Sequence, residues 1–529
     1  MTSLRTVFAG TALALALASI GASAAQAQTT IRIANMGEPT SLDPHDVSGT
    51  WENRPVGELL MGLLTEDKEG KAIPGAAESW TISDDGLTYT FKLRQGATWS
   101  DGQPVTAEDF VYAYRRILDP ARAAKYASIM YPIKNAAALN SKKMEGMENL
   151  GVKAIDANTL QITLENPTPF FLELLTHYTA WPVPKHAVEK LGKDWVKPGN
   201  YVGNGPYVLK EWTPQTQIVM EKNPRFFDAA NVKIDRVVFI PNEDRSAVVR
   251  QFRAGEIDYA ADFPSDQIDT LRQTLPKETR IAPYLGIYYF TINTTKKPFD
   301  DVRVRQALAL AVDRQTITDK VIKTGEIPAV SFVPPNVPNY GQPAEVPGFR
   351  DSQADREKKA AELLKAAGYG PDKPLKVQLS YNTSENHRRI VVALAQMWKK
   401  LGVEAELSNS EVAVHYENLR QGNYEIGRAA WIADYPDAQN FLFLYEQSNQ
   451  QNYARFKDPK FEELMQQAAK TRDMEARAKI LREAESIALG AYANIPIYYY
   501  VSKNLVSQKL DGWVDNTRDV HRVRWMSLR

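Results

Sequence analysis

The sequence contains no cysteine in 529 residues. That absence excludes a disulfide scaffold, a thiolate nucleophile, cysteine-ligated zinc and a lipidated cysteine anchor. A surplus of either charge is missing too, because 64 Lys and Arg balance 64 Asp and Glu. Without a basic excess the chain lacks the electrostatic footprint of nucleic-acid binding. Histidine is scarce: of the six (His45, His177, His186, His387, His415, His521), none lies four residues from another. No pair therefore shares a helical face as metal ligands would. There is no Gly-x-Ser-x-Gly elbow, Walker loop, His-Glu-x-x-His or EF-hand ladder. These gaps leave no catalytic residue, cofactor or metal to nominate.

What is present begins with an address. Arg5 supplies a positive start, Val7 to Ile20 an apolar core, and Ala25-Gln26-Ala27 a small-x-small cleavage pattern. Residues 1–27 therefore read as a secretory signal, and the core is shorter than the ~20 residues of a membrane span. Removing 27 residues leaves 502 and loses only the charge of Arg5, so 63 basic residues face 64 acidic ones. No later run is long and apolar enough to span a bilayer. The expectation is a soluble protein released into a bacterial periplasm, without a lipid anchor.

The remaining length suggests three or four structural units of ~150 residues each. Period-2 alternation marks strands at Thr29 to Ala34, Thr88 to Leu93, Thr159 to Leu164, Thr216 to Glu221 and Asp235 to Ile240. Thr106 opens a helix through Tyr112, Tyr114 and Ile117. Asp301 is the N-cap expected for one helix carrying Val302, Leu308, Val312, Ile317 and Val321. A helix from about Ala354 should stop at Gly368, and a long amphipathic helical stretch follows Pro459. Asp43-Pro44-His45 reads as turn punctuation, and Gly203 to Tyr207 as a tight turn before a strand. Strands and helices interleave with no linker, which predicts mixed α/β lobes that share strands.

One segment stands out. Gly422 should end a short helix, after which Tyr424 to Ile432 reads as a strand running into Asp434-Tyr435-Pro436. Alternation puts Ile426, Arg428, Ala430, Ile432 and Asp434 on one face and Trp431 on the other. An arginine among apolar neighbours is costly unless solvated, paired or turned to a cleft. Two readings follow: an edge strand with a solvated Arg428, or a cation and an anion roughly 20 Å apart at ~3.3 Å per residue. That spacing suits a short extended zwitterion reached by the arginine side chain. Tyrosines cluster at Tyr284, Tyr288, Tyr289 and at Tyr498 to Tyr500, where strand geometry forbids a common face.

Several motifs carry a family resemblance. They are Glu38-Pro-Thr-Ser-Leu-Asp-Pro-His45, Gly75-Ala-Ala-Glu-Ser-Trp80, Trp99-Ser-Asp-Gly-Gln-Pro-Val-Thr-Ala-Glu-Asp-Phe110, Pro298 to Leu308, Trp431-Ile-Ala-Asp-Tyr435 and Pro496-Ile-Tyr-Tyr-Tyr500. In this order, over essentially the whole mature chain, the sequence resembles the periplasmic oligopeptide-binding proteins, solute receptors of peptide ABC transporters. The resemblance implies an α/β, three-lobed Venus-flytrap clamp with mixed sheets and an extra inserted lobe. Its implied boundaries are 28–60, 184–285 and 502–529 for lobe I, 61–183 for lobe II and 286–501 for lobe III. It implies a non-enzymatic, monomeric receptor for short peptides that delivers them to a membrane ABC permease. The same fold could hold a murein peptide, an oligosaccharide, an opine or a sugar conjugate.

By the same resemblance, Asp434 matches the partner of a peptide's α-ammonium, and Arg428 and His387 match cations at its carboxylate end. Tyr126, Tyr284, Tyr289 and Tyr500 match positions near the ligand. Main-chain groups at Ala430, Trp431 and Ile432 and at Tyr288 to Phe290 would pair with its backbone. The chain departs from the family where relatives have a disulfide, since Gly286 and Ile432 stand there. A tryptophan and an arginine near the relatives' cleft match Val412 and Leu419.

Overall fold

The computed structural model describes residues 28–529, so the expected signal segment lies outside the described residues. Eleven strands form one large sheet: β1 (Thr30–Asn35), β2 (Tyr207–Thr213), β3 (Gln217–Lys222), β4 (Arg236–Pro241), β5 (Tyr259–Ala261), β6 (Thr279–Ile292), β7 (Ile327–Pro328), β8 (Leu375–Asn382), β9 (Val403–Ser410), β10 (Ile426–Ile432) and β11 (Asn494–Val506). Their order is β9-β8-β10-β6-β11-β5-β1-β4-β3-β2, with β7 added onto β11. A separate antiparallel sheet of four strands (Ala77–Ile82, Thr88–Leu93, Thr159–Thr163, Val152–Asp156) sits between β1 and β2 in the chain. The architecture is a mixed α/β clamp, as expected.

Two long strands unify the large sheet. β6 and β11 pair from Thr279↔Leu505 to Pro283↔Val501, lose register, and pair again from Ile287↔Tyr499 to Thr291↔Asn494. Before the break β11 also holds β5; after it β6 also holds β10. From Gly286 onward β6 is buried on both faces and dense in Ile and Tyr, whereas its first half, Thr279 to Leu285, is mostly half-buried. The break falls beside Tyr284, where the two halves of the sheet meet.

The helices follow their caps. Thr106 and Asp109 form a capping box, with Asp109 accepting the Thr106 N–H at 2.9 Å, and Phe110, Ala113, Tyr114 and Ile117 bury one stripe. Gly422 (φ +77°) and Gly368 (φ +86°) adopt the left-handed conformation after the helices they end. Two expected helices are divided. The one capped by Asp301 runs only Val302–Leu310, and Arg314–Thr316 and a π turn, Ile317–Ile322, follow. The Arg314 guanidinium donates to the Ala309 and Val312 carbonyls, while Asp313 accepts the Thr316 N–H at 3.0 Å and starts a new turn. The stretch after Pro459 divides into Pro459–Lys470 and Met474–Gly490, because Asp473 caps the second piece through the Ala476 N–H.

Asp43 is more than turn punctuation. Its carboxylate, 3% exposed, accepts from Arg116 (2.5 and 3.0 Å), Arg122 (2.9 Å) and the Trp195 indole (3.0 Å). This hub ties the segment after β1 to the helix Ala107–Leu118 beside the smaller sheet. Burial pushes the carboxyl up, but the Arg116 hydrogen bond and the charges of Arg116, His45 and Arg122 outweigh it and hold it well below the carboxylate range. A lowered folded value stabilises the protein above the unfolded carboxylate value of about 4, and that stabilisation fades as pH falls below it. Asp43→Asn leaves the half-buried Arg116 guanidinium short of an anion, while Arg122 keeps Asp46 at 2.6 Å. It should cost about 3 kcal/mol of stability at pH 7, read by denaturant unfolding, with a smaller difference near pH 3. Equal stability of the two proteins at pH 7 would remove the hub from this account.

Candidate binding cavity

The strand β10 supplies the floor of a cavity of about 190 Å³ lined by Arg428, Ala430, Trp431, Ile432 and Asp434. β8 accompanies β10 only at Ile426 and Gly427, so one edge of residues 428–432 has no strand beside it. Parity decides which groups that edge offers. Ala433 N–H donates to Leu285 C=O and Asn293 N–H to Glu425 C=O, which assigns the odd-numbered residues of β10 to bonds with β6. The even-numbered residues therefore turn their main-chain groups the other way. The Arg428 carbonyl meets His415 Nε2 at 2.7 Å, whereas Ala430 and Ile432 face the cavity without a partner strand. This edge can accept an added strand.

The expected main-chain contribution from Tyr288 to Phe290 is corrected by the same topology. β6 lies between β10 and β11, and both edges of these residues are already in ladders. Their side chains divide as alternation requires. The Tyr288 ring lies under the Arg428 guanidinium (4.7 Å) and stacks on Tyr498 (4.7 Å), whereas Tyr289 packs against Phe332, and neither side chain is part of the cavity lining. Tyr284 and Tyr500 line the cavity and meet edge-on at 6.1 Å.

Arg428 is neither solvated nor salt-bridged. It is 6% exposed and donates to Tyr500 Oη (2.6 Å), Tyr416 Oη (3.0 Å) and Asn382 Oδ1 (3.2 Å), with Nε unpartnered. Among the described residues no carboxylate lies within ion-pair distance. The other cations of the lining differ: Arg54 faces Asp519 (3.9 Å), Arg245 faces Asp262 (3.6 Å), and Lys503 faces Glu326 (2.9 Å). His387 lies against Tyr288, its Nδ1 3.4 Å from Tyr288 Oη. It is not the expected cation. Burial, with the charges of Arg428, Arg245, His415 and Lys503, drives its imidazole well below the ordinary range, leaving it uncharged at pH 7.

Asp434 closes the other end. Tyr126 Oη donates to Oδ2 at 2.5 Å, His177 Nε2 lies 3.2 Å from Oδ1, and the backbone N–H is fixed by Asn440 at 2.8 Å. His177 Nδ1 accepts the Thr179 N–H, so Nε2 is the nitrogen that donates to the carboxylate. Burial pushes Asp434 up, but the His177 charge and the hydrogen bonds of His177 and Tyr126 prevail and lower it. The carboxylate is ionised, and among the described residues it has no lysine or arginine within ion-pair distance. Tyr126 itself is buried and stands edge-on to Trp431 at 5.7 Å.

Sequence reasoning missed His177, Trp51, Tyr416 and the Arg245, Asp262 and Lys503 set, all on the cavity wall. They carry no shared motif; the sheet order brings them together, as where Asp262 N–H bonds Lys503 C=O. Of the two departures, Val412 lines the cavity, but Leu419 is buried against Gly427, and Arg420 turns to Glu417 at 3.1 Å. Gly286 and Ile432 face each other across β6 and β10, and a Cβ at 286 would meet Ile432 Cδ1 at 2.4 Å. The isoleucine thus occupies the space, and glycine is what lets it.

Comparison with known proteins places this geometry. Residues 71–453 match the family described as bacterial extracellular solute-binding proteins, family 5. The chain is 40% identical over 514 residues to the periplasmic oligopeptide-binding protein OppA of Salmonella typhimurium, covering 96% of this chain and 94% of that one. Haemophilus influenzae OppA in complex with the peptide RPPGFSPFR superposes with a TM-score of 0.93 at 37% identity, over 95% of this chain and 99% of that one. The unliganded open form of the murein tripeptide-binding protein MppA, 38% identical over 95% of this chain and 98% of that one, reaches only 0.66. Equal relatedness with unequal fit means that the halves are arranged here as in the peptide complex. The chain belongs to the bacterial extracellular solute-binding proteins of family 5.

Proposed function

We propose that this protein is a periplasmic receptor that binds short peptides through their free termini and backbone and delivers them to a membrane ABC permease. The observation that carries the reading is Arg428, which has no carboxylate partner, on β10 and Asp434, held by His177 and Tyr126, two residues past its end, with the open main-chain edge of Ala430 and Ile432 between them. An extended peptide would set its ammonium on Asp434, pair its backbone with that edge, and bring its carboxylate to Arg428. His387 would accompany the carboxylate as a polar neighbour. The names of the relatives, oligopeptide- and murein peptide-binding proteins, support the ligand class.

The reading includes a clamp. Lobe I takes 28–60, 184–285 and 502–529, lobe II 61–183, and lobe III 286–501. The register break between Pro283 and Ile287 supports a hinge there. Tyr126 and His177 then come from lobe II and Asp434 from lobe III, so closure delivers two donors to the carboxylate as the ammonium arrives. The receptor acts as a monomer after signal cleavage and without a catalytic step. Among the described residues no helix is long and apolar enough to cross a membrane.

Asp434→Asn should weaken a free-amine tripeptide by about tenfold or more, measured by calorimetry, and barely change the N-acetylated peptide. Equal losses would remove the ammonium role. Arg428→Gln should act on the other terminus: a comparable loss for the free acid and little for the C-terminal amide. A loss that follows the amine instead would reverse the assigned polarity.

A further inference from the structure

A second cavity, of about 170 Å³, lies where residues 128–132 and 165–170 meet the chain from Tyr435 to Arg477. It shares no lining residue with the peptide cavity. The parallel stack of Tyr435 on Phe170 (4.4 Å) and the contact of Trp431 with Phe443 (5.3 Å) stand between them.

Three of its polar side chains, Glu446, Asn449 and Ser128, are short of partners. Glu446 faces this space with no cation within ion-pair distance among the described residues, because the one arginine of the lining, Arg477, is committed to Asp437 at 2.8 and 2.9 Å. Asn449 is 5% exposed and its Oδ1 accepts the Gln451 N–H at 2.7 Å, which leaves Nδ2 buried and unpartnered. Ser128, 7% exposed, has an unpartnered Oγ. Tyr131 and Phe443 supply aromatic wall, and Glu165 a second acid. Unmade hydrogen bonds and a desolvated carboxylate cost free energy that an occupant of matching chemistry would recover. The carboxylate calls for a cation, the aromatic rings tolerate one, and the Asn449 amide calls for an acceptor oxygen.

We propose that this interlobe cavity binds a small amino alcohol, its ammonium on Glu446 and its oxygen accepting from Asn449 and exchanging a hydrogen bond with Ser128. Because both sides of the cavity must be in place, such an occupant favours the closed arrangement. The charged and titratable groups about Glu446 are Glu462 behind it, Glu165, Tyr131 and Tyr435 across the cavity, and the Arg477–Asp437 pair. Burial, then the neighbouring Glu462, pushes the Glu446 carboxyl up to about 8. Ammonium binding must therefore expel a proton at neutral pH, and affinity rises with pH while the amine stays protonated.

The test is a ligand-observed NMR titration of the full-length mature protein, preloaded with peptide, using ethanolamine, ethylamine and ethylene glycol. Ethanolamine should saturate one site, ethylamine should bind about fivefold or more weakly for want of the acceptor, and the glycol should not bind. Affinity for ethanolamine should rise about tenfold from roughly pH 6.5 to 8 and be lost in Glu446→Gln, which matches the shape of the protonated carboxyl that burial favours and so spares the fold. Arg428→Gln, preloaded with a C-terminally amidated peptide, leaves the Asp434 contacts and this lining untouched and should leave this site intact, so its failure and that of the peptide reading are distinguishable. No saturable ethanolamine binding into the tens of millimolar, or binding that survives Glu446→Gln, would overturn the proposal. Equal affinity for ethylamine would also contradict it.

Discussion

A guanidinium withdrawn from water needs an anion, and Arg428 has none of its own. Its buried partners are two tyrosine hydroxyls and an amide oxygen, which orient the group without neutralising it. Leaving such a charge unmatched costs several kcal/mol, and proteins keep one where a ligand completes it. Much of the cavity is arranged around that requirement. Tyr288 lies beneath the guanidinium, His387 is held uncharged beside it, and the remaining lining cations are paired with their own acids. A ligand carboxylate therefore meets one available cation rather than four.

The opposite charge sits two residues past the end of the same strand. Arg428 and Asp434 are carried by one continuous run, so the distance between them is set by strand rise and not by lobe position. The contacts to Asp434 differ in origin: Tyr126 and His177 are separated from it by hundreds of residues in sequence and reach it from the side of the smaller sheet, where the proposed closure would bring them. On the proposed reading, ligand recognition and closure are coupled through that carboxylate. The ligand supplies charge, the approaching segment supplies donors, and each favours the other.

Much of this was legible in the sequence, for physical reasons. Alternation located strands such as Thr88–Leu93 to the residue, because half-buried antiparallel strands must alternate. Capping chemistry located Thr106, Asp301, Gly368 and Gly422, because helix ends have local requirements. Arg428 was conspicuous because it breaks an apolar pattern. Other features depend on distant residues and leave no local trace. His177 resembles any other histidine until β10 brings Asp434 beside it, and Asp43 resembles a turn until Arg116 and Trp195 fold over it. The assignment of main-chain groups at Tyr288 to Phe290 failed because strand pairing, which periodicity does not encode, consumed both edges.

The most direct test of the central claim is native mass spectrometry of the protein purified gently from its exporting host, with fragmentation of whatever dissociates. A cavity built around one unpaired cation and one carboxylate that meets neither lysine nor arginine among the described residues predicts a released set of short peptides with unblocked termini. A single uncharged, non-peptide ligand would contradict it, leaving the fold intact but removing the reason for an unpaired Arg428.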